Sequence, residues 1–259
     1  MSAEIHPSAL VERGARLGAG VSVGPFSVIG PHVEIGEGSW IGSHVVLDGR
    51  LRIGRNNRIF HFASIGGPPQ DKKYAGEDTS VEIGDGNTIR EYTTINRGTP
   101  QDAGVTRIGD DNWIMAYVHV AHDCQVGSHA IFANGVQVAG HVGIDDWAIL
   151  GGVCLVHQFV HVGAHAFIGM GARLSQDVPP FVTVAGAEPR PVGINSEGLR
   201  RRGFSPEDIA ALKRAYRTLY REGLSLEDAR RQLEQQAASC AHLRQLLDFL
   251  AKSERGILR

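Results

Sequence analysis

An aliphatic residue returns at every sixth position through most of this 259-residue chain, and few backbones fit that spacing. Ile5, Val11, Leu17, Val23, Ile29, Ile35, Ile41, Leu47, Ile53, Ile59 and Ile65 keep step without a slip. Ile83, Ile89 and Ile95 resume the phase. After a shift of one residue the series runs from Ile108, Ile114 and Val120 to Val162, Ile168 and Leu174. Helices repeat a face about every 3.6 residues and strands about every 2, so neither gives this period. Hexapeptide repeats build a parallel β-helix, in which each short strand turns a corner and stacks on its equivalent one coil away.

Glycine often follows the aliphatic, as at Gly18, Gly24, Gly36, Gly54, Gly84, Gly109 and Gly127. A corner that brings backbone against backbone favours a residue without Cβ. The expected β-solenoid covers residues 1–190. Two stretches break the rhythm: a loop at about 66–80, carrying Pro68-Pro69 and a charged run, and a second at about 98–106. Solenoids place insertions on one face, often the binding face.

The rhythm ends after Asp177-Val178-Pro179-Pro180, and Glu188-Pro189-Arg190-Pro191 reads as a linker to a helical region over 191–259. Asn195-Ser196 opens a short helix that Gly203 closes. Ser205-Pro206 and Ser225-Leu226, each followed by Glu-Asp, are helix starts. A last helix runs through Leu243, Leu246, Leu247 and Leu250.

Charge is unevenly spread. Residues 193–259 hold 13 Lys/Arg and 9 Asp/Glu, a net of +4, so residues 1–192 carry −6 of the overall −2. A basic end on an acidic body points to an anionic partner, a solvated helix surface being the plain alternative. No nucleic-acid partner is expected. No apolar run approaches the roughly 20 residues of a membrane span, and the N-terminus lacks a signal-peptide core. Three scattered cysteines, Cys124, Cys154 and Cys240, form no disulfide framework and suit a reducing, cytoplasmic setting.

Histidine carries the chemistry. Seven of the twelve (His119, His122, His129, His141, His157, His161 and His165) fall within 47 positions. With about eighteen residues per coil, the spacing predicts a ladder of His122, His141 and His157 up one side. His122 with Asp123 is a candidate base and carboxylate, although strand neighbours face opposite ways and Asp123 could point elsewhere. Zinc bound by imidazoles is the competing reading. Neither a nucleophile elbow nor a cysteine–histidine pair is evident, which disfavours covalent catalysis.

Several motifs are specific. His119-Val120-Ala121-His122-Asp123-Cys124, Ala139-Gly140-His141-Val142, Val156-His157-Gln158-Phe159 and the tail Asn195-Ser196-Glu197-Gly198-Leu199-Arg200-Arg201-Arg202-Gly203-Phe204 together resemble the acyl-ACP–UDP-N-acetylglucosamine O-acyltransferases. Gln70-Asp71-Lys72-Lys73-Tyr74, Asn96-Arg97-Gly98-Thr99 and Asp177-Val178-Pro179-Pro180 extend the likeness over the whole chain.

The resemblance implies a left-handed parallel β-helix with a C-terminal helical domain, assembled as a homotrimer with active sites between subunits. It implies transfer of an (R)-3-hydroxyacyl chain from acyl carrier protein to the 3-hydroxyl of UDP-N-acetylglucosamine, the first step of lipid A biosynthesis. No cofactor or metal is implied beyond the carrier's phosphopantetheine arm. His122 would be the general base, Asp123 its support, and the Gly140 N–H the oxyanion donor. His119, His141, His157 and Gln158 would line the cleft. Gln70, Asp71, Lys73, Asn96, Asn195, Glu197, Arg201 and Arg202 would serve the sugar nucleotide. Asn96 stands where well-known members carry histidine, which leaves a 3-amino acceptor open. Met170 resembles the residue that shortens the acyl groove to ten carbons, against plain interior packing.

Three other readings remain at this stage. An amine-acylating β-helix enzyme of the same pathway would need an N-terminal nucleotide domain ahead of the first hexapeptide. A zinc hydratase of the γ-carbonic-anhydrase kind shares the repeats and histidines, but not the arginine-rich tail. A noncatalytic scaffold would explain the repeats alone.

Overall fold

The structure, a computed structural model, describes residues 2–237 and 240–259; Met1, counted in the expected coil region, lies outside them. The described residues form 28 short strands followed by four helices. The strands lie in three sheets of eleven, nine and eight, and the chain visits the sheets in rotation. Every pairing is parallel except the last, Val182–Ala185 with Arg190–Ile194. A strand therefore pairs with its equivalent one circuit on: Val23 lies beside Ile41, and Ile41 beside Ile59. The six-residue aliphatics point inward, and Ile29, Ile41, Leu47, Ile59, Ile65, Ile89 and Ile114 are completely buried.

Register explains the phase of the rhythm. A circuit takes eighteen residues from Ile41 to Ile59 but thirty from Ile59 to Ile89, so the first insertion adds twelve, two whole hexapeptides. From Ile83 to Ile108 it takes twenty-five, so the second adds seven and displaces the phase by one. The insertions are shorter than the sequence suggests. Strands Ser64–Gly67, Ser80–Ile83 and Val105–Ile108 claim the edges of the expected loops.

The glycines after the aliphatics relieve crowding between coils: a Cβ on Gly36 would lie 2.5 Å from the Gly54 carbonyl carbon. The left-handed corners belong to other residues. Phe26, His44, Phe62, Tyr92 and Tyr117 all have φ between 56° and 62°. That conformation costs an L-residue about 1–2 kcal/mol. Their rings stack at 4.8–5.1 Å in one column, and each aromatic pair returns about 0.5–1.5 kcal/mol. Inside another corner, Asn57, Asn87 and Asn112 form a buried polar ladder. Asn57 Oδ1 accepts from the Asn87 N–H at 2.9 Å, and Asn87 Oδ1 from the Asn112 N–H at 2.8 Å. It meets the need of buried backbone amides for partners where the strands break.

After the strand Arg190–Ile194, which occupies half of the expected linker, come α1 (Ser196–Arg201), α2 (Pro206–Tyr220), α3 (Leu226–Gln236) and α4 (Ala241–Lys252). Asn195, Ser205 and Ser225 accept hydrogen bonds at the first three N-termini. Leu199, Leu212, Leu219, Leu233, Leu243 and Leu247 pack around Phe181 from the last coil in a second core. The buried Asp177 carboxylate ties this region to the coils, accepting from the His161 N–H and the Ser253 hydroxyl.

Candidate active site

An open cleft of about 1220 Å³ runs along one sheet and its adjoining corner beneath both insertions. Gln70, Asp71 and Lys73 from the first insertion, Thr99 and Asp102 from the second, and His119, His122, Gly140, His141, His157 and Gln158 from the coils line it.

His122 and Asp123 sit on a corner rather than a strand, which settles where Asp123 points. Asp123 has φ of 60°, and this left-handed turn swings both side chains to one side. His122 Nδ1 lies 2.9 Å from Asp123 Oδ2. The other bonds to that carboxylate come from donors: the Thr99 N–H at 2.9 Å to Oδ1 and the Thr99 hydroxyl at 2.6 Å to Oδ2. An ionised carboxylate only accepts, so Nδ1 carries the proton and Nε2 keeps its lone pair. Asp123 is fully buried, whereas the His122 side chain keeps 10% of its surface exposed. Thr99 closes the motif Asn96-Arg97-Gly98-Thr99, but neither residue type nor spacing signals its hold on Asp123.

Gly140 lies under the His122 ring, and its N–H donates to no protein group among the described residues. His119 shares a 2.7 Å hydrogen bond with Thr94 Oγ1. Burial, and then the neighbouring His122, hold the His119 imidazole below its ordinary pKa, so it is neutral near pH 7. Cys124, next to Asp123, points into the coil, donates to the Ala139 carbonyl, and is pushed up to about 12 by burial, so it is no nucleophile.

The expected histidine ladder is divided. His141 meets His122 edge-on at 5.0 Å but stacks flat on Phe159, eighteen residues on, at 4.5 Å. His157 is exposed beside Gln158 on the cleft rim. His129 and His165 flank Trp147 in a separate column at another corner.

Six other expected site residues stand away from this cleft in the single chain. Asn96 is buried, and its side-chain amide donates to the Pro68 carbonyl at 3.0 Å, so it props the first insertion. Asn195 caps α1 through the Gly198 N–H and donates to the His165 carbonyl. Glu197 pairs with Arg200 and Arg201. Arg202 lies over Trp147 at 5.1 Å and contacts His165 Nδ1 at 3.1 Å. Met170 is 77% exposed on a corner, which excludes the interior-packing alternative.

His122, Asp123 and His141 hold ligand atoms within 4.8 Å of one another, close enough to consider a metal. Their hydrogen bonds show which atoms are already engaged. Both Asp123 oxygens receive donors, and each histidine commits Nδ1 to a carboxylate, His122 to Asp123 and His141 to Asp102. The Nε2 atoms of both histidines stay outside this wiring, so it orders the imidazoles for a cation as well as for proton transfer. The residues suit proton transfer.

Stacked hexapeptide coils, with a carboxylate-held histidine facing an open groove, define a bacterial hexapeptide-repeat transferase. The repeat family described as bacterial transferase hexapeptide matches residues 14–49 and 106–140, and the family described as Udp N-acetylglucosamine O-acyltransferase; Domain 2 matches residues 177–258. The acyl-[acyl-carrier-protein]–UDP-N-acetylglucosamine O-acyltransferase of Herminiimonas arsenicoxydans is 58% identical over 259 residues, covering 98% of this chain and 99% of that one. The enzyme of the same name from Thiobacillus denitrificans is 59% identical, covering 99% and 100%. Among solved structures, the UDP-N-acetylglucosamine acyltransferase of Francisella novicida superimposes with a TM-score of 0.97 at 46% identity, covering 98% and 94%. That of Bacteroides fragilis gives 0.95 at 42%, covering 98% and 99%. This chain belongs to the acyl-[acyl-carrier-protein]–UDP-N-acetylglucosamine O-acyltransferase family.

Proposed function

We propose that the protein transfers an (R)-3-hydroxyacyl group from acyl carrier protein to the 3-hydroxyl of UDP-N-acetylglucosamine, the first step of lipid A assembly. The observation that carries the mechanism is the relay from Thr99 through Asp123 to His122, which leaves His122 Nε2 bare on the cleft. In this reading Nε2 takes the proton of the sugar hydroxyl as its oxygen attacks the thioester carbonyl carbon. Asp123 stabilises the imidazolium that forms. The Gly140 N–H faces the developing oxyanion. Collapse of the tetrahedral intermediate expels the carrier thiolate, which receives the proton from His122. No cofactor enters these steps.

The reading makes the solenoid left-handed, in keeping with its likeness to the Francisella novicida structure. It also makes the working unit a cytoplasmic homotrimer. The exposed ring column from Phe26 to Tyr117, with Val153 and Met170, is apolar surface for a neighbouring subunit to cover. The distance of Asn195, Glu197, Arg201 and Arg202 from the His122 cleft then has a reason: a second subunit brings its own copies to the sugar nucleotide. An acidic carrier suits the basic helical end, where Arg173, Arg190, Arg221 and Arg259 line a hollow of about 850 Å³ that shares Arg173 and Ser175 with the cleft.

The test is acyl transfer by the purified protein from ten-, twelve- and fourteen-carbon 3-hydroxyacyl carrier donors, with UDP-N-acetylglucosamine and its 3-amino analogue as acceptors. Ester product from the wild type, abolished in a correctly assembled His122→Ala variant, is expected. Full activity in that variant would remove His122 from the mechanism, and amide product alone would reassign the acceptor.

A further inference from the structure

The second insertion delivers three residues to the cleft, Thr99, Gln101 and Asp102, and the relay uses only one. Thr99 holds Asp123. Three residues on, Asp102 turns its carboxylate to the other cleft histidine, and its Oδ2 lies 2.9 Å from His141 Nδ1. A carboxylate can only accept here, so His141 Nδ1 carries a proton. The imidazole is then fixed on three sides. Asp102 holds Nδ1, Phe159 stacks on the face at 4.5 Å, and the His122 ring meets it edge-on at 5.0 Å. Its Nε2 lies on the His122 side, 3.9 Å from Asp123 Oδ2. These residues, Asp102, Asp123 and His122, are the titratable groups facing His141.

The environment of Asp102 fits the contact. Its side chain is half exposed, yet the bond from His141 holds its carboxyl below the usual carboxylate range. The Asp102 N-terminal neighbour Gln101, Asp102 itself, His141 and His122 all line the same cleft.

We propose that Asp102 is a positioning residue for acyl transfer, acting through His141 by fixing its tautomer and turning Nε2 toward the acceptor sugar as a hydrogen-bond acceptor. One seven-residue insertion thus orients both histidines, His122 through Thr99 and Asp123, and His141 through Asp102. The inference rests on the acyltransferase reading of the cleft. It is chemically separable, because the nucleophile is still deprotonated by His122.

The experiment is a double-mutant cycle on the purified full chain with UDP-N-acetylglucosamine varied at saturating 3-hydroxyacyl carrier protein. Asp102→Ala is expected to lower kcat/KM for the sugar nucleotide about tenfold, with the carrier KM unchanged. In a His141→Gln background the same change should cost less than about twofold, because the residue it acts through is gone. Asp102→Asn, which still accepts without charge, should recover part of the loss. Ring ¹⁵N shifts should show His141 as the Nδ1–H tautomer in the wild type and as a mixture in Asp102→Ala. Equal losses in both backgrounds, or no loss in the first, would overturn the proposal. A wild type without transfer activity would overturn the acyltransferase reading instead, and the ¹⁵N shifts would still judge the Asp102–His141 contact.

Discussion

The His122 ring lies across the α-carbon of Gly140 so closely that a methyl there would sit 2.5 Å from Cε1 and 2.6 Å from Nε2. Glycine is needed at this point for contact, since only a hydrogen fits beneath the imidazole. Gly140→Ala should displace the ring from Asp123 and lower kcat by at least about a hundredfold, with little change in melting temperature. Steady-state kinetics beside a thermal melt would check this, and an active Gly140→Ala enzyme would show that the ring has room to move.

Met170 can be judged by chain length. On the family resemblance its exposed thioether closes the acyl groove of the assembled protein. Met170→Gly should then shift preference from ten-carbon donors toward fourteen. Each newly buried methylene is worth about 0.8 kcal/mol, so a few suffice to invert the ranking. Competition between donors of different length in one reaction gives the ratio directly. An unchanged ratio would free Met170 of any measuring role.

The asparagine ladder predicts a stability effect without a catalytic one. Asn87 accepts from the Asn112 N–H and donates to the Gly109 carbonyl at 2.9 Å inside the coil. Asn87→Ala strands both groups, at a cost of about 2–4 kcal/mol. Calorimetry should show a lowered transition, while kcat at 20 °C stays near wild type. Wild-type stability in the variant would mean that the backbone groups find other partners.

Acid should weaken the seam between coils and helices through His165. Burial, then Arg202, then His242, press its imidazole down to about 4 from an ordinary 6.5. The unfolded chain therefore binds a proton that the folded chain refuses. This contribution to stability is whole above pH 6.5, is lost as pH falls toward 4, and changes no further below that. His165→Asn should flatten this part of a melting-temperature profile. A parallel profile for the variant would assign the loss to other groups.

The sequence made the coil legible because one aliphatic per hexapeptide leaves a signal in residue type. It also showed the insertions and the capped helices at Ser205 and Ser225, where local chemistry decides. The direction of Asp123 is not legible in sequence, since divergence of neighbours holds for strands and His122-Asp123 occupies a left-handed corner. The ring columns leave little mark in residue type, since Phe, Tyr, His and Trp share the corner position, and insertions also break the spacing of Phe62, Tyr92 and Tyr117. The motif that holds Asn96 does not disclose its bond to the Pro68 carbonyl beneath the first insertion, which depends on the folded loop. Thr99 and Asp102 lie in a stretch without periodicity, and only the folded loop reveals what they hold.

The single repeating register has a consequence for how such a groove can diversify. Gly152 and Met170 occupy equivalent places on one corner, with the Gly171 N–H donating to the Gly152 carbonyl at 2.9 Å. A blocking side chain moved between them travels one strand spacing, about 4.8 Å, or about four methylenes of an extended chain. Depth along this axis is therefore quantised. On the acyltransferase reading, coarse changes of acyl length would come in steps of about four carbons, and finer ones from the size of the side chain on a given step.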